Sequence, residues 1–262
     1  MDAFIEKLND MIKERRKMTS RLYQLIMEGG ATKRLLQNFV IHRYPIKKVY
    51  VRNVMGVAAR IEEHDLRRKF VENIYEEETG GITDSDYHLN VFLNFGRAVG
   101  VSPETVLSTP LMPETKELLE HNMRACNDTS VPMTEGAASV LLLMEGQPPI
   151  VAGGGRSMEA VMRDVYQLPP EGYEFFTHHA SNTDEDDYVS ALESTHTSAI
   201  VELLKTYCTT PELQEGAVRS LRRAIDLRHK HFDAIYERFY DPSEPAFRYG
   251  EVGSAAAPAA AV

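Results

Sequence analysis

Carboxylates and imidazoles on otherwise apolar helical segments are the residues of this chain that could do chemistry. They are Glu77, His88, Glu145 and a cluster of acids and histidines at 178–187. An ionised carboxylate on a core-facing stripe is costly unless a compensating charge lies beside it, and a metal ion is a common compensation. Oxygen and nitrogen ligands without thiolates favour iron, manganese or zinc. The sequence therefore predicts a metal centre where these four segments converge.

The bulk composition limits the class of protein. The chain has 262 residues, of which 43% are apolar, so one large domain or two small ones could bury a core. A net charge of −10 argues against nucleic acid or an anionic membrane as partner. We find no apolar run of about 18 residues that would span a bilayer. The start of the chain lacks a secretion signal and there are two cysteines, so we expect a cytoplasmic protein.

Hydrophobic periodicity predicts helices throughout the chain. Apolar residues at helical spacing, such as Leu35 and Phe39, recur, whereas strand-like alternation is scarce. Pro45 interrupts the first long pattern and should kink that helix or start a new one. We predict an all-α fold, a single compact bundle of seven or eight helices over 1–245. The Ala- and Pro-rich segment 246–262 is predicted to be a disordered tail.

Capping signals divide the bundle into its helices. Gly80 is suited to end one helix, and Ser102 before a proline is suited to start another. Pro113 should open a helix to about Cys126, and Thr210 before a proline should start a long helix to about Tyr240. These helices must position the candidate ligands.

Each of the first two candidates has an ordinary structural alternative. Glu77 lies in the run 76–78, which could be a solvated helix end. Three successive helical positions span about 200° of arc, however, and Glu77 shares the face of Phe70 and Ile74. His88 could be a hydrogen-bonded structural histidine rather than a ligand. Both alternatives stay open from the residues alone.

Glu145 ends an apolar stretch that starts at Ala137 and contains one polar residue, Ser139. Two prolines follow at 148 and 149. The carboxylate therefore lies either at the exposed end of the buried stretch or inside the bundle, where it would need a metal or another partner.

The cluster at 178–187 offers several registers. A regular helix would align His179 with Thr183 and Asp186, which is not a good ligand set. A π-type bulge would align His179 with Asp184 and Asp187 instead.

Two further interpretations of this region compete. Glu193 and His196 lie one turn apart and could supply the ligands in place of Asp184 and Asp187. The acidic run at 183–187 could also be a helix start, where negative charge is favourable.

A basic stripe precedes these segments and consists of His42, Arg43, Lys47, Lys48 and Arg52. Facing inward, it would suit a carboxylate-bearing substrate, and we take Arg43 and Lys48 as the candidate substrate-binding residues. An exposed basic face is the alternative.

The order of these motifs resembles heme-oxygenase-like diiron oxidases and oxygenases, which share their fold with thiaminase II-like and pyrroloquinoline-quinone-synthase-like proteins. The resemblance spans roughly residues 20 to 240. It rests on the segments 73–81, 95–100, 173–179, 210–212 and 222–226 together with His88 and Glu145. A thiaminase-like hydrolase would need a reactive thiol, and neither cysteine lies in a suitable segment.

The resemblance implies a heme-oxygenase-like fold and two Fe(II) ions, with O2 as co-substrate. Glu77 and His88 would serve one iron, Glu145 would bridge, and His179 would serve the second iron. The family usually carries His-x-x-x-Asp-x-x-His on the last of these helices, whereas no histidine follows at those spacings here. Asp184 and Asp187 are the substitutes, and the catalytic set is Glu77, Glu145 and His179.

The resemblance also implies the reaction class. We expect O2-dependent oxidation of an amino acid or related small carboxylate at a C–H or C–C bond, by desaturation, cleavage or cyclisation, in specialised metabolite biosynthesis. N-oxygenation of an amine is the alternative, although the family's extra glutamate is replaced here by a segment that offers Lys47 and Lys48. A metal-free helical binding protein is a further alternative. We also expect a homodimer and allow for an external electron donor.

Overall fold

The fold is taken from a computed structural model, which describes residues 1–81, 86–145, 156–178 and 195–251. Seven helices lie in the first part of the chain: α1 Asp2–Glu14, α2 Arg21–Met27, α3 Lys33–Ala58, α4 His64–Thr79, α5 His88–Ala98, α6 Pro103–Ser108 and α7 Pro113–Asn127. A 3₁₀ turn, Lys17–Thr19, precedes α2.

The second part of the chain contains two composite helices. Helix α8 consists of Met133–Gly136, π-helical turns over Ala137–Leu142 and a last turn Leu143–Glu145. Helix α9 begins at Met158–Ala160 and continues as π-helix over Val161–Val165. The remaining helices are α10 Pro170–His178, α11 Thr195–Tyr207 and α12 Pro211–Phe239.

The all-α prediction is confirmed for these ranges. Their one β-type contact is an antiparallel bridge between Thr32 and Ala246. The predicted seven or eight helices correspond to the longer ones, and short helices such as α2 and α9 add to that number. No helix of the described ranges has the length and apolar character needed to cross a membrane.

Several predicted boundaries are confirmed by their caps. The Ser102 hydroxyl accepts a hydrogen bond from the Thr105 amide at the start of α6. Thr210 does the same for Leu213 at the start of α12. Gly80 ends α4 with φ at +64°, a conformation that glycine adopts without steric cost.

Of the two alternatives predicted at Pro45, a new helix is wrong, and a kink stays a prediction. Helix α3 runs through Pro45 without interruption from Lys33 to Ala58. A proline inside a helix removes one hydrogen bond and costs roughly 3 kcal/mol. Helix α3 offsets this cost because residues on both sides of Pro45, including Leu36, Phe39 and Val54, are almost completely buried.

Two large apolar clusters form most of the core of the described residues, and α3 contributes to both. The first half of α3, with Leu36 and Val40, joins one cluster, while its second half, with Val54 and Val57, joins the other. Between these halves α3 presents Arg43, Lys47 and Tyr50. Polar side chains therefore collect at the junction of the two clusters.

The chain stays packed beyond residue 245, so the predicted tail 246–262 begins too early. Phe247 is buried, and its amide donates to the Ala31 carbonyl. The Tyr249 amide donates to the Tyr166 carbonyl. Residues 252–262 lie outside the described ranges.

Candidate metal centre and substrate cavity

Glu77 and His88 meet where α4 turns into the segment leading to α5. His88 is the first residue of α5, and its Nδ1 lies 3.1 Å from Glu77 Oε2, while its Nε2 lies 3.7 Å from Glu76 Oε1. Burial by itself would lower the pKa of His88, but the hydrogen bond and charge of Glu77, together with the charge of Glu76, raise it. The pair supplies one carboxylate and one imidazole, the donor types that iron accepts.

Glu145 is the last residue of α8, and the Tyr50 hydroxyl donates a hydrogen bond to its Oε1. Tyr50 is buried on α3. Burial, followed by the negative charge of Glu145, raises the pKa of Tyr50 well above its ordinary value. The phenol therefore keeps its proton and holds the Glu145 carboxylate in a fixed position.

The π-helical turns of α8 directly precede Glu145. The residues Ala137–Leu142 are all buried, and the apolar run continues to Leu143. A π-helical turn holds more residues than an α-helical one and rotates the residues that follow it, and such turns often occur at functional sites. The π-type bulge predicted for 179–187 lies outside the described ranges.

One cavity of about 150 Å³ is bordered both by the Glu77–His88 pair and by Glu145. Glu77, His88 and Glu145 lie in its wall. Its apolar wall is largely aromatic and includes Tyr23, Phe39, Phe92, Phe175, Phe176 and Phe232. The cavity lies at the junction of the two apolar clusters, so water has limited access to the acidic groups.

Four cations also border this cavity: Lys17, Arg43, Lys47 and Arg228. Burial, then the charge of Arg43, lowers the pKa of Lys47 to about 7. The same two causes, with Arg228 added, lower that of Lys17 to about 8. Burial, again followed by Arg43, lowers the pKa of Arg228 to about 9. The described lining thus holds four cationic side chains and two carboxylates, Glu77 and Glu145.

The predicted substrate-binding residues separate in the structure. Arg43 borders the cavity, whereas Lys48 is exposed on the outer side of α3. Lys47 occupies the position in the wall that we assigned to Lys48. Arg228 and Lys17 were not identified from the sequence at all. For Arg228 a signal exists, because it lies on the apolar stripe of α12 between Ala224 and Phe232.

Of the predicted ligands of the second iron, His179, Asp184, Asp187 and the competing Glu193 lie outside the described ranges. His196 belongs to α11, but its side chain is not described.

The described residues do not by themselves form a metal centre. Among the residues 1–81, 86–145, 156–178 and 195–251, no three metal-ligating side chains form a cluster. The carboxylate and imidazole donors that border the cavity fit iron in type, but they are too few to close a site.

Comparison with known proteins identifies the family. A family model described as "iron-containing redox enzyme" matches residues 37–229. A relative from Chlamydia pneumoniae, named 4-aminobenzoate synthase, is 24% identical over 181 residues, covering 68% of this chain and 75% of the relative. A protein of the same name from Nitrosomonas europaea is 24% identical over 174 residues, covering 66% of this chain and 63% of that protein.

Solved structures agree on the fold. A TenA homologue from Pseudomonas syringae pv. tomato has a TM-score of 0.69 at 14% identity, covering 90% of this chain and 93% of that one. A domain of unknown function with a heme oxygenase-like fold from Shewanella denitrificans has a TM-score of 0.58 at 17% identity, covering 91% and 90%. The cavity with its carboxylate and imidazole donors therefore lies in a heme-oxygenase-like bundle, and the chain belongs to the iron-containing redox enzyme family.

Proposed function

We propose that this protein is a non-heme diiron enzyme that uses O2 to oxidise an amino acid or related small carboxylate. One observation carries the proposal: a single cavity is bordered by Glu77, His88 and Glu145 and also by four cations, which outnumber the carboxylates among its described lining residues. Donors for iron and a charge suited to a carboxylate thus share one enclosed space. The family match supports the redox part of this proposal.

Glu77 and His88 would hold one iron, Glu145 would bridge to the second, and His179, Asp184 and Asp187 would complete the second site. Two ferrous ions in such ligation supply electrons and open coordination positions for the reduction of O2. The fit is partial, because the described residues contribute three of these six donors.

The surrounding residues would prepare this site. Tyr50 holds one oxygen of the Glu145 carboxylate through its hydroxyl, which would orient this ligand toward the metal. The Lys47 ammonium lies 4.1 Å from the Phe175 ring centroid, so this cation faces an aromatic surface. Phe92 and Phe175, whose ring centroids are 4.9 Å apart, limit the entry of water at this wall.

The charge of the cavity favours an anionic substrate over an amine. A protonated amine would meet Lys17, Arg43, Lys47 and Arg228, and bound Fe(II) would add further positive charge. We therefore place N-oxygenation second. The product named for the relatives, 4-aminobenzoate, carries a carboxylate on an aromatic ring, which supports a carboxylate-bearing ligand, but it also carries an amine and so does not decide the order.

The electron balance calls for a donor. Reduction of O2 to two waters takes four electrons and four protons, and a desaturated substrate supplies two of each. Two further electrons would come from an external donor and two protons from solvent. Homodimer assembly is part of the proposal and is checked by light scattering of the purified protein.

Metal loading tests the proposal directly. The metal-free protein is titrated anaerobically with Fe(II), its bound iron is measured, and O2 is then admitted while the visible spectrum and O2 consumption are followed. We expect nearly two irons per chain and a transient visible band. Iron far below one per chain with a blank spectrum would favour the metal-free binding protein and refute the proposal.

Matched variants locate the site. Glu77→Ala and Glu145→Ala should lose most iron uptake, because each removes a carboxylate that borders the cavity. Glu78→Ala is the control, since Glu78 adjoins Glu77 on α4 but is exposed. Full iron uptake by Glu145→Ala would rule out its bridging role.

A further inference from the structure

Arg43 on α3 and Arg228 on α12 are two buried guanidinium groups in the wall of the cavity. Arg43 is 6% exposed and Arg228 5%. Across the described ranges neither forms an ion pair with a carboxylate, and the Nε of each has no hydrogen-bond partner. Arg43 lies over the Phe232 ring at 5.2 Å, and Arg228 Nη2 donates to the Arg15 carbonyl at 2.7 Å. Most of their donor capacity is therefore unused.

The two lysines of the same cavity have different surroundings. Glu77 and Glu145 act on Lys47, and Glu145 acts on Lys17, in each case raising the pKa against the effect of burial. Among the described residues no carboxylate acts on Arg228 in this way; the charges that affect it are Arg43, Tyr23 and Arg15. Glu77 and Glu145 thus compensate the lysines, whereas no described carboxylate compensates Arg228.

Two guanidinium groups in one buried wall are costly, and burial, followed by the charge of Arg43, lowers the pKa of Arg228 to about 9. At neutral pH Arg228 still holds its proton, so deprotonation does not remove this cost. A ligand with one negative charge between the two groups would lower the electrostatic cost of burying both positive charges. A carboxylate matches the planar fork of donors, because it accepts two parallel hydrogen bonds from one guanidinium.

The space beside the arginines suits an aromatic ring. Tyr23 meets Phe232 edge to face at 5.0 Å and Phe39 at 5.8 Å, and all three rings border the cavity. The cavity volume of about 150 Å³ equals that of cavities known to accept one benzene molecule. One ring with one carboxylate therefore fits both the volume and the charge.

We propose that Arg43 and Arg228 together form a carboxylate-binding subsite that takes an aryl carboxylate and binds it without iron. The catalytic meaning of this subsite rests on the proposed oxidase function, but the binding itself does not. Arg228 joins Arg43 in this role, and Lys48 has none.

Calorimetric titration of the chelator-treated, metal-free protein with benzoate tests the proposal. We expect one benzoate per chain, and no comparable binding of benzamide, which has the same shape without the charge. Arg43→Gln and Arg228→Gln should each weaken benzoate binding by at least about tenfold, because each removes a charged hydrogen-bond donor. Lys48→Gln and Arg222→Gln are the controls, since these residues lie exposed on the same two helices.

Thermal unfolding measurements show whether the variants keep their fold. Both Gln variants should melt no lower than the wild type without ligand, because each removes an uncompensated charge. Benzoate should raise the melting temperature of the wild type and not that of the variants. If a Gln variant does not fold, Arg43→Lys or Arg228→Lys replaces it; each keeps the charge but loses the fork, and should still bind benzoate severalfold more weakly.

Each result decides the matter. Loss of benzoate binding in both arginine variants, with both controls unchanged, supports the subsite. Absence of binding to the wild type, full affinity in either arginine variant, or equal binding of benzamide or inorganic phosphate overturns it. Iron loading is measured separately on the same proteins. A protein that takes no iron but binds benzoate as described would refute the oxidase function and leave the subsite standing.

Discussion

Lysines and arginines line the same cavity, yet their charges are controlled differently. Lys17 and Lys47 have lowered pKa values of about 8 and about 7 and lie within the influence of Glu77 and Glu145. Arg43 and Arg228 are less exposed than the lysines, and the Arg43 guanidinium lies over the Phe232 ring. The charge of the lysines therefore depends on the acidic groups and on whatever binds them, whereas Arg228, with its pKa lowered to about 9, still carries its charge at neutral pH. This difference suggests a division between a metal side and a substrate side.

Charge reversal at Arg43 should have the largest effect on the substrate side of the cavity. Arg43→Glu places a carboxylate beside Arg228 and compensates it, so the fold should be at least as stable as the wild type. Benzoate binding should fall by at least about a hundredfold, because like charges then meet in a buried space. Calorimetry with a parallel thermal melt measures both effects. Unchanged benzoate affinity in a folded Arg43→Glu protein would contradict the separation of the two sides.

Removal of the Tyr50 hydroxyl should affect the metal side alone. Tyr50→Phe removes the hydrogen bond that the Tyr50 hydroxyl donates to Glu145, and loss of such a partner typically weakens metal binding about tenfold or more. Benzoate affinity of the metal-free protein should not change. Competition for Fe(II) with a coloured chelator measures the first quantity. Tyr75→Phe is the control because Tyr75 is exposed, and equal iron affinity in the two variants would show that Tyr50 does not position the ligand.

The metal side was easier to predict from the sequence than the substrate side. Glu145 was identified because a carboxylate at the end of an apolar stretch is unusual, and it does lie at the cavity with a partner on another helix. Glu77 and His88 were identified through their order in the chain, and the structure brings them within hydrogen-bonding distance. Their roles as ligands remain predictions.

Arg228 was missed, although the reasoning used for Glu145 applies to it. It occupies the apolar stripe of α12 between Ala224 and Phe232, where a charge is as unusual as at Glu145. Helix α12 has many exposed charged residues, so Arg228 stands out only when its position on the buried face of the helix is considered. The error at Lys48 has a related cause: one residue along a helix turns the side chain by about 100°, so Lys47 faces the cavity and Lys48 faces solvent.

The pH dependence of stability should distinguish Lys47 from its exposed neighbour. Its pKa is about 7 in the folded protein and 10.5 ordinarily, so between these values the unfolded chain binds more protons. The free energy of unfolding should therefore rise with pH from about 7 upward, by no more than ~1.4 kcal/mol per pH unit from this group. Lys47→Met should remove this contribution and Lys48→Met should not.

Urea unfolding of the three metal-free proteins at pH 7 and pH 9 measures the difference. Lys17 contributes with the same sign in all three, so it cancels in the comparison. A rise in Lys47→Met equal to that of the wild type would mean that Lys47 is solvated in the native protein.

Substitution of Gly80, in the turn after α4, should have the smallest effect and should act on the metal side alone. Gly80 has φ at +64°, so Gly80→Ala should lower the free energy of unfolding by about 1 kcal/mol. The turn leads from Glu77 toward His88 and touches neither arginine, so iron affinity should fall while benzoate affinity stays the same. Asparagine tolerates this backbone conformation better than alanine does. Gly80→Asn should therefore retain more of both stability and iron affinity, and a parallel loss of benzoate binding in Gly80→Ala would show that the two sides of the cavity are coupled through this turn.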